Sequence, residues 1–296
     1  MPQRLGIVVN PTSGKNTGAR VGHEALTLLR AAGVELLDLS AADARGALAK
    51  GRAAIADRAV DALVVVGGDG MVHLGANLCA GTEVSLGIIA AGTGNDVARV
   101  LGLPVRDAAK AVERLLGGGT RRIDAARHTT PTGEEKWFVG VLAAGFDAVV
   151  NERANTWRWP KGQMRYNLAI LRELPLFRAI PYRLVLDGRE VDTEAMLVAV
   201  GNGPSYGGGM KVTPDAVLDD GLLDVLVLHR ISTPEFLRVF PRVFSGRHTS
   251  HPAVEILRAR SVRLEATGIV AYADGERFGA LPMTVEAVPG ALTVLA

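Results

Sequence analysis

The chain has 296 residues, 48% hydrophobic and 22% charged, with 33 Lys+Arg against 31 Asp+Glu. That length can bury a sizeable core and has room for two domains, and a net charge of +2 gives no case for a nucleic-acid partner. The single cysteine, Cys79, excludes an internal disulfide; within an apolar helix candidate it reads as a buried structural thiol in a reducing cytosol.

Strand-type and helix-type runs alternate through the first half. Arg4 to Asn10 predicts a strand; Thr17 starts a helix to Ala32, which Gly33 ends. Val34 to Leu39 predicts a second strand, and Ser40 with Asp43 reads as a capping pair for a helix to about Arg58. Ala62 to Val66 has the continuous apolar character of a buried parallel strand, followed by a helix from Met71 to Ala80 and a strand from Val84 to Ala90. Helices near Asp96–Leu101 and Val105–Leu116 end at Gly117-Gly118-Gly119. This alternation argues for a parallel sheet with helices on both faces.

After Asp124 the pattern changes to glycine turns and period-two segments. Strands are expected at Lys136–Ala144, Tyr182–Leu186, on to Val200 through the hairpin signal Asp187-Gly188, and at Leu222–Leu228, Ser261–Ala266, Val270–Ala273 and Met283–Val288. The boundary between an α/β unit (1–125) and a mostly antiparallel β unit (126–296) is expected near residue 125, with the last residues as candidates to return to the first unit. No signal peptide is expected before the first strand, and no apolar run reaches bilayer-spanning length.

Three successive predicted strands end in small polar loops: Asn10-Pro11-Thr12-Ser13-Gly14, Gly67-Gly68-Asp69-Gly70 and Gly92-Thr93-Gly94-Asn95-Asp96. Carboxyl ends of neighbouring strands form the ligand crevice of an open α/β sheet. Glycines there let the backbone approach a bulky anion, and the following helix N-terminus favours phosphate. Asp69 adds a negative charge, suited to a metal-bound phosphate or to a base; as a bare turn it is only a cap. Asn95 and Asp96 read equally as helix caps, and Ser40 as an N-cap or a nucleotide contact. The first loop lacks Walker A spacing, which excludes a P-loop NTPase.

These loops, with Asp219-Asp220-Gly221-Leu222-Leu223-Asp224 and Asp274-Gly275-Glu276 downstream, resemble the diacylglycerol kinase catalytic domain family, which includes bacterial soluble lipid kinases and sphingosine kinases. The resemblance implies a phosphofructokinase-like α/β nucleotide domain followed by a β-sandwich domain. It implies an ATP- and Mg²⁺-dependent kinase that phosphorylates diacylglycerol or a similar lipid. Asn10, Pro11, Thr12, Ser13, Gly14, Ser40, Gly67, Gly68, Asp69, Gly70, Met71, Val72, His73, Thr93, Asn95 and Asp96 are then expected to hold the nucleotide. Glu276 carries over as the catalytic base, Asp124 as a carboxylate paired with it through water, and Asp69 as a third candidate base. A structural Mg²⁺ would take the Asp220 carboxylate with the carbonyls of Val217 and Leu222.

The enzyme is expected to be cytoplasmic and to visit the inner membrane face; a homodimer is a candidate assembly. Arg153, Trp157, Arg158, Trp159, Lys161, Arg165 and Tyr166 suit an anionic lipid interface, or an ordinary surface helix, and Leu168 to Phe177 an acyl groove. The loop Gly201 to Gly209 reads either as flexibility near the lipid or phosphate or as a plain glycine loop. The family pattern has threonine and glutamate where this chain has Met71 and Leu74, which predicts reshaped nucleotide binding. Two alternatives remain. One is an NAD kinase, which shares Gly-Gly-Asp-Gly; the other is a non-catalytic nucleotide or lipid sensor.

Overall fold

The computed structural model describes residues 4–157, 168, 172–173 and 178–296. Four parallel strands lie in the order β4-β3-β1-β2: β1 (Arg4–Val9), β2 (Glu35–Asp38), β3 (Ala62–Gly67) and β4 (Ser85–Ala90). The central strand β3 is buried along its whole length, as its valine run requires. Its side chains alternate between two cores: Leu63 and Val65 face one with Ile88, Val64 and Val66 the other with Ile89. The helices α1 (Ser13–Ala31), α2 (Ala44–Ala56), α3 (Asp69–Cys79), α4 (Asp96–Val100) and α5 (Ala108–Leu116) connect and cover these strands.

Two of the expected helix starts move with their caps. Asp43 alone caps α2, its carboxylate accepting from the Gly46 N–H; Ser40 is not a cap. The Ser40 hydroxyl instead accepts from the Val9 N–H at 3.0 Å, tying the end of β2 to β1. The last helix of this half begins at Ala108 rather than Val105 because Asp107 caps it by accepting from Lys110.

The second half is antiparallel. Its strands are β5 (Thr120–Thr129), β6 (Glu135–Phe138), β7 (Val141–Gly145), β8 (Ile180–Leu186), β9 (Arg189–Gly201), β10 (Leu223–His229), β11 (Val254–Ala259), β12 (Ser261–Glu265), β13 (Val270–Ala273), β14 (Glu276–Ala280) and β15 (Met283–Leu295). They form a β-sandwich around Phe138, Leu142, Leu184, Val198, Val225, Leu264 and Phe278. The expected strand 136–144 splits in two, because the N–H groups of Val139 and Gly140 turn to the Asp274 carboxylate. β15 extends seven residues past its expected end and pairs with β5, with β12 and, at Val294↔Leu86, with β4. The two halves thus share one hydrogen-bonded sheet.

Among the described residues no helix is long and apolar enough to cross a membrane. Cys79 is buried, and burial pushes its thiol pKa up to about 12, which leaves it protonated and inert.

Candidate active site

The carboxyl ends of β1, β3 and β4 place the three polar loops side by side. Their approach depends on missing side chains. A Cβ at Gly92 would lie 2.3 Å from the Gly68 Cα, and one at Gly14 would lie 2.3 Å from the Ala91 carbonyl oxygen. Gly14, Lys15 and Asn16 all adopt positive φ before the regular helix starts. For Lys15 and Asn16 that conformation costs about 1–2 kcal/mol each. Asn10 braces the loop, its Oδ1 accepting from both the N–H and the hydroxyl of Thr12.

Asp69 sits at the centre. Its two oxygens accept from the Asn95 N–H (2.8 Å) and the Asp96 N–H (2.7 Å), so one carboxylate from the β3 loop holds the β4 loop in shape. Burial, and secondly the Asp96 charge, push the Asp69 carboxyl above its ordinary range, while these two amides oppose the shift. Asn95 closes its own loop through Gly92, and the Arg106 guanidinium donates to the Gly92 carbonyl. Arg106 carried no motif and was invisible in the sequence. Asp96 is 3% exposed; its Oδ2 accepts from the Gly208 N–H, while the buried Oδ1 has no partner. The glycine loop 201–209 therefore reaches the polar loop that follows β4.

Met71 and Val72 do not face a ligand. Both are buried in the core, and their N–H groups bond to the Gly68 carbonyl. Anion-binding capacity at this helix rests on Asp69 and Gly70, its first two residues, whose N–H groups lie outside the helical ladder. The Met71 side chain packs on Gly67, where a Cβ would meet its Cγ at 2.4 Å; Leu74 is likewise core. The two departures from the family pattern are absorbed as packing.

The second half contributes a hairpin. Asp274 (φ 53°) and Gly275 (φ 86°) form the tight turn between β13 and β14, with Ala273 opposite Glu276. The Asp274 carboxylate accepts from Val139 and Gly140 N–H and meets His73 Nδ1 at 3.1 Å, docking the turn on α3. Glu276 is then exposed directly above the helix start: a Cβ at Gly70 would stand 3.1 Å from its Oε1.

Asp124 is not paired with Glu276 by any direct contact among the described residues. It is 3% exposed, and its oxygens accept from the N–H groups of Gly221 (2.6 Å) and Gly290 (2.7 Å). Its carbonyl accepts from Asn202, which also binds the Val139 carbonyl. Asp124 ties β5 to the loop at Gly221 and to β15, the strand that also pairs with β4. The expected metal set also departs from the sequence reading: Asp220 Oδ1 accepts from the Leu222 N–H, and Oδ2 is ion-paired with Arg258, which reaches Asp224 as well. A guanidinium neutralises the carboxylate, so Asp220, Val217 and Leu222 do not fit a resident Mg²⁺ in this arrangement.

Of the expected membrane segment, Arg153 pairs with Glu173 at 2.7 Å and Trp157, partly buried, packs against the apolar cluster that holds Phe146 and Phe236. Arg158, Trp159, Lys161, Arg165 and Tyr166 lie outside the described residues, as does most of the expected groove at 168–177.

Three polar loops at the strand ends of an α/β sheet, met by an acidic hairpin from a β-sandwich, make the candidate site. Residues 4–128 match the model of the diacylglycerol kinase catalytic domain, and residues 140–296 match the YegS C-terminal NAD kinase beta sandwich-like domain. A diacylglycerol kinase of Mycobacterium tuberculosis is 43% identical, covering 99% of this chain and 94% of the relative. One from Staphylococcus epidermidis is 30% identical, covering 95% and 88%. A solved putative diacylglycerol kinase from Bacillus anthracis superposes with TM-score 0.79 at 25% identity, covering 99% and 97% of the two chains. An NAD kinase from Archaeoglobus fulgidus in complex with ATP gives TM-score 0.51 at 16% identity over 99% of this chain and 93% of that one, which shows fold alone. The chain belongs to the diacylglycerol kinase family and is a lipid kinase; that family implies ATP as phosphoryl donor.

Proposed function

We propose that this kinase transfers the γ-phosphate of ATP to the free hydroxyl of diacylglycerol or a similar lipid, giving phosphatidic acid or a related lipid phosphate. Residues 1–125 serve as the nucleotide unit and 126–296 as the lipid unit, working in the cytoplasm at the inner membrane face. The observation that carries the reading is Glu276, held by the Asp274 turn over the N-terminus of α3. The phosphate loops bind and orient the triphosphate through Asp69, Gly70 and Gly92–Asp96, and the helix dipole offsets its charge. Glu276 accepts the hydroxyl proton as the lipid oxygen attacks phosphorus. Its exposure puts it within reach of a substrate arriving from outside the crevice.

The unpartnered Asp96 Oδ1, beside Asp69, fits a hard divalent cation. Mg²⁺ bound there with ATP would neutralise developing charge on the phosphates. Asp124 acts by positioning: it joins β5 to the Asp219–Leu222 loop and to β15.

The test is transfer of labelled γ-phosphate into a panel of lipids in mixed micelles, with NAD as a parallel acceptor. A labelled diacylglycerol product supports the proposal. Transfer to NAD alone, with none to any lipid, overturns it.

A further inference from the structure

An apolar cavity of about 80 Å³ lies in the second half, lined in part by Phe146, Met210, Phe236, Phe240 and Val243. Its outer wall is the helix Thr233–Val239 and the turns that follow to Ser250. From the cavity an aromatic series runs outward: Phe146 meets Phe236 at 5.6 Å between centroids, Phe236 stacks on Phe240 at 5.5 Å, and Phe240 meets Phe244 at 6.4 Å. Phe244 is 53% exposed and Leu237 48%, the two most exposed of the large hydrophobic side chains described. Such exposure opposes burial of apolar area and marks a contact surface when it is grouped and rimmed by charge.

The rim is cationic. Arg230, Arg238, Arg242 and Arg247 are exposed, and none makes an ion pair with a described residue. The one acid in this stretch, Glu235, is engaged by His251 at 3.2 Å. Lys211, also exposed, lies against Gly246 of the same face. Arg242, Ser245, Arg247 and Ser250 line a shallow cleft, a set of guanidinium and hydroxyl donors that suits a phosphate headgroup. A chain whose net charge is only +2 thus gathers unneutralised arginines around two exposed apolar side chains. This pairing fits the interface of an anionic bilayer, with apolar side chains entering the acyl boundary and arginines meeting headgroups.

We propose that residues 230–250 are the surface on which this kinase docks to anionic membrane. The inference rests on the lipid-kinase reading. Behind the docking face, the cavity reaches Tyr206 and Met210 on either side of Gly208, whose N–H binds Asp96. A lipid lifted from the bilayer at this face would therefore have its apolar part on the sandwich and its hydroxyl toward the phosphate loops.

The test is flotation of the full chain with phosphatidylcholine vesicles with and without phosphatidylglycerol, beside activity on dispersed short-chain diacylglycerol. The wild type should float with the anionic vesicles. Arg238→Glu/Arg242→Glu and, separately, Leu237→Ser/Phe244→Ser should lower vesicle affinity at least tenfold; removal of one arginine should cost roughly fivefold. Both double variants should keep the wild-type melting temperature and phosphorylate the dispersed lipid within about twofold of wild type. Variants that float like the wild type, or a wild type that ignores anionic vesicles, overturn the proposal. So does a change of oligomeric state with vesicle binding intact, which would make this face an interface between copies. Loss of activity on dispersed lipid by the wild type itself would instead count against the kinase reading, while flotation still decides the docking surface.

Discussion

Asp124 separates a structural joint from a catalytic acid. Its two oxygens accept from the Gly221 and Gly290 N–H groups at 2.6 and 2.7 Å in a setting that is 3% exposed. Asp124→Asn keeps the shape and one acceptor, but turns an NH₂ group toward the other amide. One charge-assisted hydrogen bond becomes a donor–donor contact, a loss of about 1.5–3 kcal/mol. Asp124→Ala strands both amides and costs about twice as much. For 296 residues, an unfolding entropy near 2.1 cal/mol/K per residue makes each kcal/mol worth about 1.6 °C in Tm. The asparagine variant should melt about 2–5 °C lower and the alanine variant about 5–10 °C lower. Scanning calorimetry reads the shift, and steady-state kinetics below the transition should show the asparagine variant within about tenfold of wild-type kcat. An unchanged Tm with kcat down more than about a hundredfold would refute the joint and make Asp124 part of the chemistry.

Other outcomes follow from the same geometry. Gly92→Ala forces its Cβ onto Gly68 and should weaken binding of a non-hydrolysable ATP analogue at least tenfold, about 1.4 kcal/mol, by titration calorimetry; unchanged affinity would mean the loops need not touch. Arg258→Ala leaves Asp220 and Asp224 without their cation and should cost about 1 kcal/mol, while the wild-type Tm should not respond to EDTA. A chelator-sensitive wild type would restore the metal. Burial lowers the His248 pKa below 6.5, opposed by its bond to the Val212 carbonyl. The neutral form is the folded form, so stability is full above that value and falls as pH drops through it; His248→Gln should flatten denaturant midpoints measured across this window.

The parallel half was legible because its rules are local. A valine run buried on both faces, glycine loops at strand ends and capping acids each leave a mark within a few residues. The hairpin signal Asp187-Gly188 reads equally well. What escaped were long-range choices. Ser40 binds β1 because Asp43 sits at the better capping position, and Asp220 meets Arg258 from a strand 38 residues away. Met71 and Val72 share a loop motif with Asp69, yet the helical turn they begin points them inward. The Asp274–His73 contact spans 201 residues, so only the fold could show that Glu276 is carried to the phosphate loops. The cationic face at 230–250 has no motif: its arginines are spaced like those of any surface, and its meaning lies in what is exposed beside them.

The central claim is that Glu276 takes the lipid proton. Glu276→Gln, assayed for γ-phosphate transfer into diacylglycerol micelles alongside ATP affinity, tests it most directly. Turnover should fall by about a hundredfold or more with ATP affinity held within about twofold. Turnover equal to wild type would contradict the account and leave the base to be sought at Asp69.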